Sequence, residues 1–285
     1  MKVRFFPLTF ALLTGCADLS AVSDISKNLK DASSAWGDVG AELAASCKRE
    51  IKLNPSLTNC SVEIAASAGL AQMNDVLSGY FQALGDVAAE TKFTIKPGLD
   101  KATAAVAKIP KIDSDRVKAV SGVVALLTKL ANEGARERTV QDLIENGAPP
   151  ARKIIGGLDS LLAVRLIRQL ETERTQLTSQ FSTWIASERG DLSEKPEAVC
   201  SGSKASTFNG PGYLLSLEYC RQLDVINGRI KAVESYRQSL KKADAALAEL
   251  QSTDIRFNTK ALAKNLYAIG SEIHDDVAAI RKAFD

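Results

Sequence analysis

Residues 22–43 have the sequence VSDISKNLKDASSAWGDVGAEL, and the spacing of their apolar side chains decides the fold class. These side chains recur at alternating steps of three and four residues, which places them on one face of an α-helix. Alternating three-four spacing is also typical of the left-handed helix packing found in coiled coils. The members of this apolar stripe are Val22, Ile25, Leu29, Ala32, Trp36, Val39 and Leu43.

The same spacing returns near the C-terminus, between Leu262 and Phe284, and no segment shows the sustained period-two alternation of a strand. Helices of 30 to 40 residues would be roughly 45 to 60 Å long at ~1.5 Å per residue. We therefore predict an all-α protein, an elongated antiparallel bundle of about six long helices. The predicted long helices cover residues 22–53, 61–91, 113–145, 151–188, 211–252 and 254–284, and a short helix covers 99–108.

Turn and cap residues define the predicted boundaries. Asp113 or Ser114 suits the N-cap of the third long helix, and Pro211 suits the first turn of the fifth. The sequence NGAPP at 146–150 predicts a sharp stop, with Gly147 as a left-handed C-cap, because proline cannot extend a helix. In the fifth helix, Leu214 and Leu217 are expected on the apolar side.

The N-terminus has the features of an export segment. Lys2 and Arg4 precede an apolar run from Phe5 to Leu13, and Thr14-Gly15-Cys16 follows. The run is too short to cross a bilayer, since a spanning helix needs roughly 20 apolar residues. We therefore interpret it as a segment that is removed after export.

The sequence Leu-Thr-Gly-Cys at 13–16 resembles the lipobox of bacterial lipoproteins, a resemblance confined to the first sixteen or so residues. It implies cleavage before Cys16 by signal peptidase II, a thioether from Cys16 to diacylglycerol, and a further acyl chain on its amine. The expected organisation is a signal peptide at 1–15, a lipid anchor and short linker at 16–21, and a helical bundle domain at 22–285. The alternative is an ordinary secretory signal with a chance cysteine.

The resemblance also bears on localisation. In this family, aspartate directly after the acylated cysteine favours retention at the inner membrane, and here that position is Ala17. We expect an outer-membrane protein facing the periplasm, with the inner membrane and the cell surface as alternatives. Several acyl chains, at about 0.8 kcal/mol per buried methylene, would make this anchoring effectively permanent.

The charge of the mature chain bears on its partners. Without residues 1–15, Lys+Arg falls from 36 to 34 and equals the 34 Asp+Glu. A neutral chain gives no basis for predicting nucleic-acid binding. The expected partners are the membrane, through the lipid, and an envelope protein.

The four cysteines that remain after Cys16 predict two disulfides in an oxidising compartment. Three pairings are possible, and we favour Cys47–Cys60 and Cys200–Cys220 because each pair brackets one expected interhelical loop. The alternative is a zinc site. No Cys-x-x-Cys pair is present and His274 is the only histidine, so we predict no metal.

No catalytic residue is predicted. Ser201-Gly202-Ser203-Lys204 matches the Ser-x-x-Lys string of penicillin-recognising enzymes, but the companion elements Ser-Asp-Asn and Lys-Thr-Gly are absent from the sequence. His274 lies beside Asp275 and Asp276 and is expected at the surface. We predict a protein that is not an enzyme and has no cofactor.

The segment from Gly190 to Gly212 is the longest predicted loop, and the expected Cys200–Cys220 bond would hold it in place. Its Lys204 and Phe208, with Tyr213 just beyond it, form a hypothetical partner-binding element; a simple connector is the equal alternative. The favoured function is a non-enzymatic scaffold or protein-binding adaptor in the cell envelope. The alternatives are a membrane-tethered immunity or exclusion protein that blocks an effector, and a carrier of an apolar ligand in the bundle core.

Overall fold

The computed structural model describes residues 19–34, 36–54, 56–57, 59–133, 137–189, 199–200, 211–252 and 260–284. Within these ranges the regular elements are all helical, without a strand, so the predicted all-α bundle is confirmed. The expected signal peptide and Cys16 lie outside the described residues.

The N-terminal part of the bundle is a helical hairpin. Helices α1 (Ser20–Ser34) and α2 (Trp36–Leu53) run along α3 (Ser61–Ala88). Contacts pair rising positions on α1 and α2 with falling positions on α3, so the hairpin is antiparallel. These contacts are Ser33 with Asn74, Gly40 with Ser67, and Cys47 with Cys60.

The apolar stripe explains how this hairpin packs. The predicted single helix over 22–53 is described as two segments that end at Ser34 and begin at Trp36. Six members of the stripe are nevertheless buried, so its spacing correctly identified the inner face. These are Val22, Ile25, Leu29, Ala32, Val39 and Leu43.

The chain after α3 reaches the next long helix through short elements. Helix α3 ends at Ala88 rather than at the predicted residue 91. A 3₁₀ turn at Leu99–Lys101 leads into the short helix α4 (Ala102–Val106), and α5 spans Ser114–Glu133. The predicted cap of α5 is confirmed, because Asp113 Oδ1 accepts a hydrogen bond from Arg116 N at 2.8 Å.

The predicted stop at 146–150 is wrong. A continuous helical path runs through α6 (Glu137–Asp142), a π-helical turn (Leu143–Gly147), α7 (Ala148–Leu161), a second π-helical turn (Leu162–Ile167) and α8 (Arg168–Arg189). Gly147 has φ −95°, in the right-handed region, so it is not a left-handed cap. The wider π turn comes directly before the two prolines, which occupy the first turn of α7, where a missing N–H is tolerated.

Gly147 has a different purpose from the one predicted. A Cβ atom at this position would lie 2.5 Å from Tyr80 Cε2 and 2.8 Å from Leu126 Cδ2. The absence of a side chain therefore lets Tyr80 of α3 approach, and its hydroxyl donates a hydrogen bond to Leu143 O at 2.9 Å. The glycine is required by a close approach between helices and not by a turn.

Two further helices complete the described bundle. Helix α9 spans Pro211–Ser252, as predicted, and at ~1.5 Å per residue it is about 63 Å long. Helix α10 spans Lys260–Phe284. Ion pairs connect α9 to its neighbours: Arg152 with Asp244, Arg237 with Asp159, and Lys242 with Asp276.

One end of the bundle collects several helix termini, and we call it the disulfide end. The side chain of Gln180, near the end of α8, donates to Leu53 O at the end of α2. The ring of Phe181 on α8 stacks on Tyr219 near the start of α9, with centroids 4.1 Å apart. Both cysteine pairs, Cys47–Cys60 and Cys200–Cys220, lie at this end.

Candidate functional site

A buried ion cluster lies between α2, α8 and α9, near the disulfide end. Arg49 of α2 donates from Nε to Glu173 Oε1 of α8 at 2.5 Å, and from Nη2 to Glu173 Oε2 at 2.9 Å. Its Nη2 also contacts Oε1 of Glu42, which lies about two turns earlier on the same face of α2. Arg229 Nη1 of α9 lies 3.3 Å from the same Glu42 oxygen. Two carboxylates and two guanidinium groups therefore connect three helices.

Neutral polar side chains extend this cluster. Ser46 Oγ donates to Glu173 Oε2 at 2.6 Å, so Glu173 receives three hydrogen bonds. Glu50, which is also buried, accepts from the side-chain amides of Gln169 and Gln176. Buried charge is tolerated only where such partners are supplied, and this network provides them.

Burial controls the electrostatics of the cluster. Desolvation raises the pKa of the Glu42 carboxyl above its ordinary value, and this outweighs the hydrogen bond and charge of Arg49 and the charge of Arg229, which lower it. Burial lowers the pKa of the Arg49 guanidinium, but its hydrogen bonds to Glu173 and Glu42 raise that pKa by more. Arg49 therefore stays charged at every pH at which the protein folds.

The sequence analysis missed this cluster, although a signal was present. Glu42, Ser46 and Arg49 are spaced four and three residues apart, so they share one helical face. On α8 the buried residues Leu170 and Leu177 are seven apart, and Glu173 occupies the inward position between them. A charged residue such as Glu173 at a position where the helical spacing predicts an apolar side chain therefore indicates a buried ion pair.

A cavity of about 380 Å³ opens beside the ion cluster. Four cationic side chains contribute to its lining, as does the carboxylate of Glu173. The cations are Arg49, Lys52, Arg221 and Arg229. An apolar wall is added by Leu53, Val225 and Ile226. Cationic and apolar side chains therefore meet in one cavity.

The predicted cysteine pairs are found at bonding distance. The sulfur atoms of Cys47 and Cys60 are 2.10 Å apart, and those of Cys200 and Cys220 are 2.05 Å apart. The second pair lies beside a buried aromatic group, because Tyr219 stacks on Phe181 and Val199 is fully buried. Closing loops of this size stabilises a fold by about 3 kcal/mol in the chain-entropy model.

The other predicted residues lie only partly within the described part of the chain. Lys204, Phe208 and the string Ser201 to Lys204 lie outside the described residues. Tyr213 is in the first turn of α9 and is exposed. His274 is exposed on α10, as expected.

Tyr213 belongs to an apolar group at the start of α9, of which the sequence analysis placed Leu214 and Leu217 on the inward side. The predicted inward orientation of Leu214 and Leu217 is wrong, since their exposed fractions are 67% and 42%. Leu215 is 48% exposed and Tyr213 40% exposed. These four residues, which we call the α9 apolar tip, follow each other too closely to share one helical face. One neighbouring helix therefore cannot cover all four side chains.

Two general properties of the described residues complete the description. They hold no group of three or more His, Cys, Asp or Glu side chains arranged to bind a metal ion. None of the helices within those ranges combines the length and the apolar character that crossing a bilayer requires.

No family model, no curated protein and no solved structure matches this chain. The fold and the site therefore have to be interpreted from their own geometry. They define an all-α bundle with a buried ion cluster, a cationic cavity and an exposed apolar tip near its disulfide end.

Proposed function

We propose that the protein is a lipid-anchored lipoprotein of the cell envelope that acts as a non-enzymatic scaffold or adaptor, held at the outer membrane and facing the periplasm. The observation that carries the adaptor role is the α9 apolar tip. Contiguous exposed apolar side chains of this kind are typical of protein-binding surfaces. The lipobox-like sequence at 13–16 and the two cysteine pairs support the envelope location.

The arrangement of the helices favours an adaptor that presents its tip away from the membrane. Residue 19 lies at the beginning of α1, and α1 with α2 runs antiparallel to α3 up to the Cys47–Cys60 pair. Over the 28 residues of α3 the two ends are separated by about 42 Å at ~1.5 Å per residue. A lipid on Cys16 would therefore anchor the end opposite to the apolar tip.

The core geometry favours an adaptor over a carrier of an apolar ligand. A carrier requires a continuous interior cavity of roughly 300 Å³ or more. Among the described residues, the core cavity between Leu29, Phe81 and Leu240 measures only about 10 Å³, far below that volume. Two larger cavities among the described residues, of about 380 and 510 Å³, open at the helix surface and include charged or polar side chains in their lining.

The anchor is tested by metabolic labelling with a radioactive fatty acid. We expect label in the wild-type protein and none in Cys16→Ser, which should also leave the membrane fraction. Unlabelled wild-type protein, or unchanged membrane retention of Cys16→Ser, would contradict the proposed anchor.

The adaptor role is tested by photo-crosslinking in intact cells. A photoreactive amino acid replaces Leu214, and a matched control replaces Lys241, which is exposed on the same helix far from the tip. We expect one envelope protein to be captured from position 214 and not from 241, with capture lost in Leu215→Glu/Leu217→Glu. Equal capture from both positions, or capture that survives the double substitution, would rule out the tip as the contact.

A further inference from the structure

The cations that line the cavity beside the ion cluster differ in how far carboxylates already occupy their hydrogen-bond donors. Arg49 already contributes Nε and Nη2 to the cluster, where they bind Glu173 and Glu42. Arg229 makes a single longer contact, 3.3 Å from Nη1 to Glu42. Its buried Nε has no acceptor among the described residues. A buried N–H group without a partner is costly, so this guanidinium has donor capacity left for another anion.

Two further cations stand at the mouth of the same cavity. Lys52, in the last turn of α2, is exposed. Arg221 pairs with Glu218 of its own helix at 2.6 Å, but both side chains are largely exposed, at 65% and 46%. Such a pair is screened by solvent and exchanges partners at little cost. Lys52 and Arg221 are therefore free to turn toward an anion held by Arg229.

The rest of the lining decides which kind of anion fits. Glu173 contributes to the wall, Glu42 contacts Arg229, and Glu218 pairs with Arg221, so three carboxylates offset the four cations. A singly charged group is favoured over phosphate, which would carry a second negative charge toward these carboxylates. Leu53, which follows Lys52, and Val225 and Ile226, which lie between Arg221 and Arg229 on α9, add an apolar surface to the lining, and Val225 is 37% exposed.

We propose that this cavity is a binding site for a carboxylate that carries an apolar group. Arg229 provides the main contact, because a guanidinium presents two parallel donors to a carboxylate. Lys52 and Arg221 add long-range attraction, and the apolar wall receives the attached group. A volume of about 380 Å³ accommodates one amino-acid residue or a small organic acid.

The same chemistry has two sources, a free organic acid and the C-terminal residue of a protein chain. The site does not depend on the lipid anchor or on the apolar tip. Its test therefore succeeds or fails separately from the tests of the proposed function.

The test is calorimetric titration of the oxidised full-length chain with N-acetyl-L-leucine and with its amide, which lacks the charge. We expect the acid to bind and the amide not to bind. Arg229→Gln should weaken binding by about tenfold or more, the usual effect of losing one charged hydrogen-bond partner. Lys231→Gln is the matched control, since Lys231 is exposed on the same helix outside the cavity lining, and it should bind as the wild type does.

Arg229→Gln removes a contact to the buried Glu42, and weaker binding by this variant could then reflect a disturbed fold. A second variant therefore tests the site without changing the buried cluster. Lys52→Gln/Arg221→Gln changes only exposed side chains and should weaken the acid several-fold, with a reduced dependence on salt. Equal binding of acid and amide, no binding of the acid at millimolar concentration, or unchanged affinity in the double variant would each overturn the site.

A peptide that ends in leucine distinguishes a free organic acid from the C-terminus of a protein chain. Tighter binding of the peptide than of N-acetyl-L-leucine supports a protein terminus, and equal affinity supports a free acid.

Discussion

Individual residues of the ion cluster are buried at the junction of three helices, so removal of one charged partner leaves the others uncompensated. Glu173 has a side chain that is only 4% exposed and receives hydrogen bonds from Arg49 and Ser46. Replacing it with alanine leaves these donors without their acceptor inside the bundle. We expect Glu173→Ala to lower the free energy of unfolding by about 3 kcal/mol, as for other broken buried ion pairs. Urea denaturation measures this.

The control for that experiment is Glu171→Ala, because Glu171 is on the same helix and exposed. Its removal should change the free energy of unfolding by less than about 0.5 kcal/mol. Similar losses in both variants would indicate a general effect of charge on the helix rather than a role for the cluster.

The pH dependence of stability reports the environment of Glu42. Burial raises its folded-state pKa above the ordinary value near 4.5. The folded chain therefore holds this proton at pH values where the unfolded chain has lost it. The stability contributed by Glu42 is highest below the unfolded pKa and decreases as pH rises through the folded pKa.

Comparison with Glu42→Gln isolates this contribution. The free energy of unfolding of the wild type, minus that of the variant, should fall as pH rises from about 4.5. Denaturation in buffers from acidic to neutral pH measures the difference. A difference that grows with pH would mean that the two arginines, and not burial, control this carboxyl.

At the level of elements, the packing of Tyr80 against the helical path at residues 143–150 depends on one glycine. A methyl group at Gly147 would press on Tyr80 and Leu126, both within 3 Å. We expect Gly147→Ala to destabilise the protein by about 1 to 3 kcal/mol, the usual cost of overpacking.

The matched control for Gly147→Ala is Gly156→Ala in α7, where an added Cβ meets no atom within 4 Å. That substitution should be neutral or stabilise by up to about 1 kcal/mol, because alanine favours helix. Thermal denaturation of both variants measures the contrast, and equal effects would contradict the close approach of Tyr80.

The elements also show what the sequence could and could not predict. The apolar stripes predicted the fold class and most inward faces, and Asp113 and Pro211 correctly predicted helix starts. The predicted stop at 146–150 was wrong because it was based only on the local turn residues. Gly147 instead makes room for Tyr80, which is distant in sequence and approaches it only in the folded bundle. Leu214 and Leu217 were placed inside because periodicity marks apolar positions without showing whether a neighbouring helix covers them. The spacing along α2 and α8 indicates that Glu42, Arg49 and Glu173 lie on inward faces, but it does not show that these faces and α9 meet to form a cluster and a cavity.

For the whole molecule, the antiparallel course of α3 against α1 and α2 determines which end would face a membrane. With a lipid on Cys16, the beginning of α1 and the end of α3 lie near the bilayer, and the disulfide end lies about 42 Å farther away at ~1.5 Å per residue of α3. A fluorescent amino acid at Val62, in the first turn of α3, or at Glu90, just after its end, reports this order, since both positions are exposed. In liposomes that contain an acceptor-labelled headgroup, we expect efficient energy transfer from position 90 and weak transfer from position 62. Comparable transfer from both positions would mean that the bundle lies flat on the membrane, and the apolar tip would then be available only to partners at the bilayer surface.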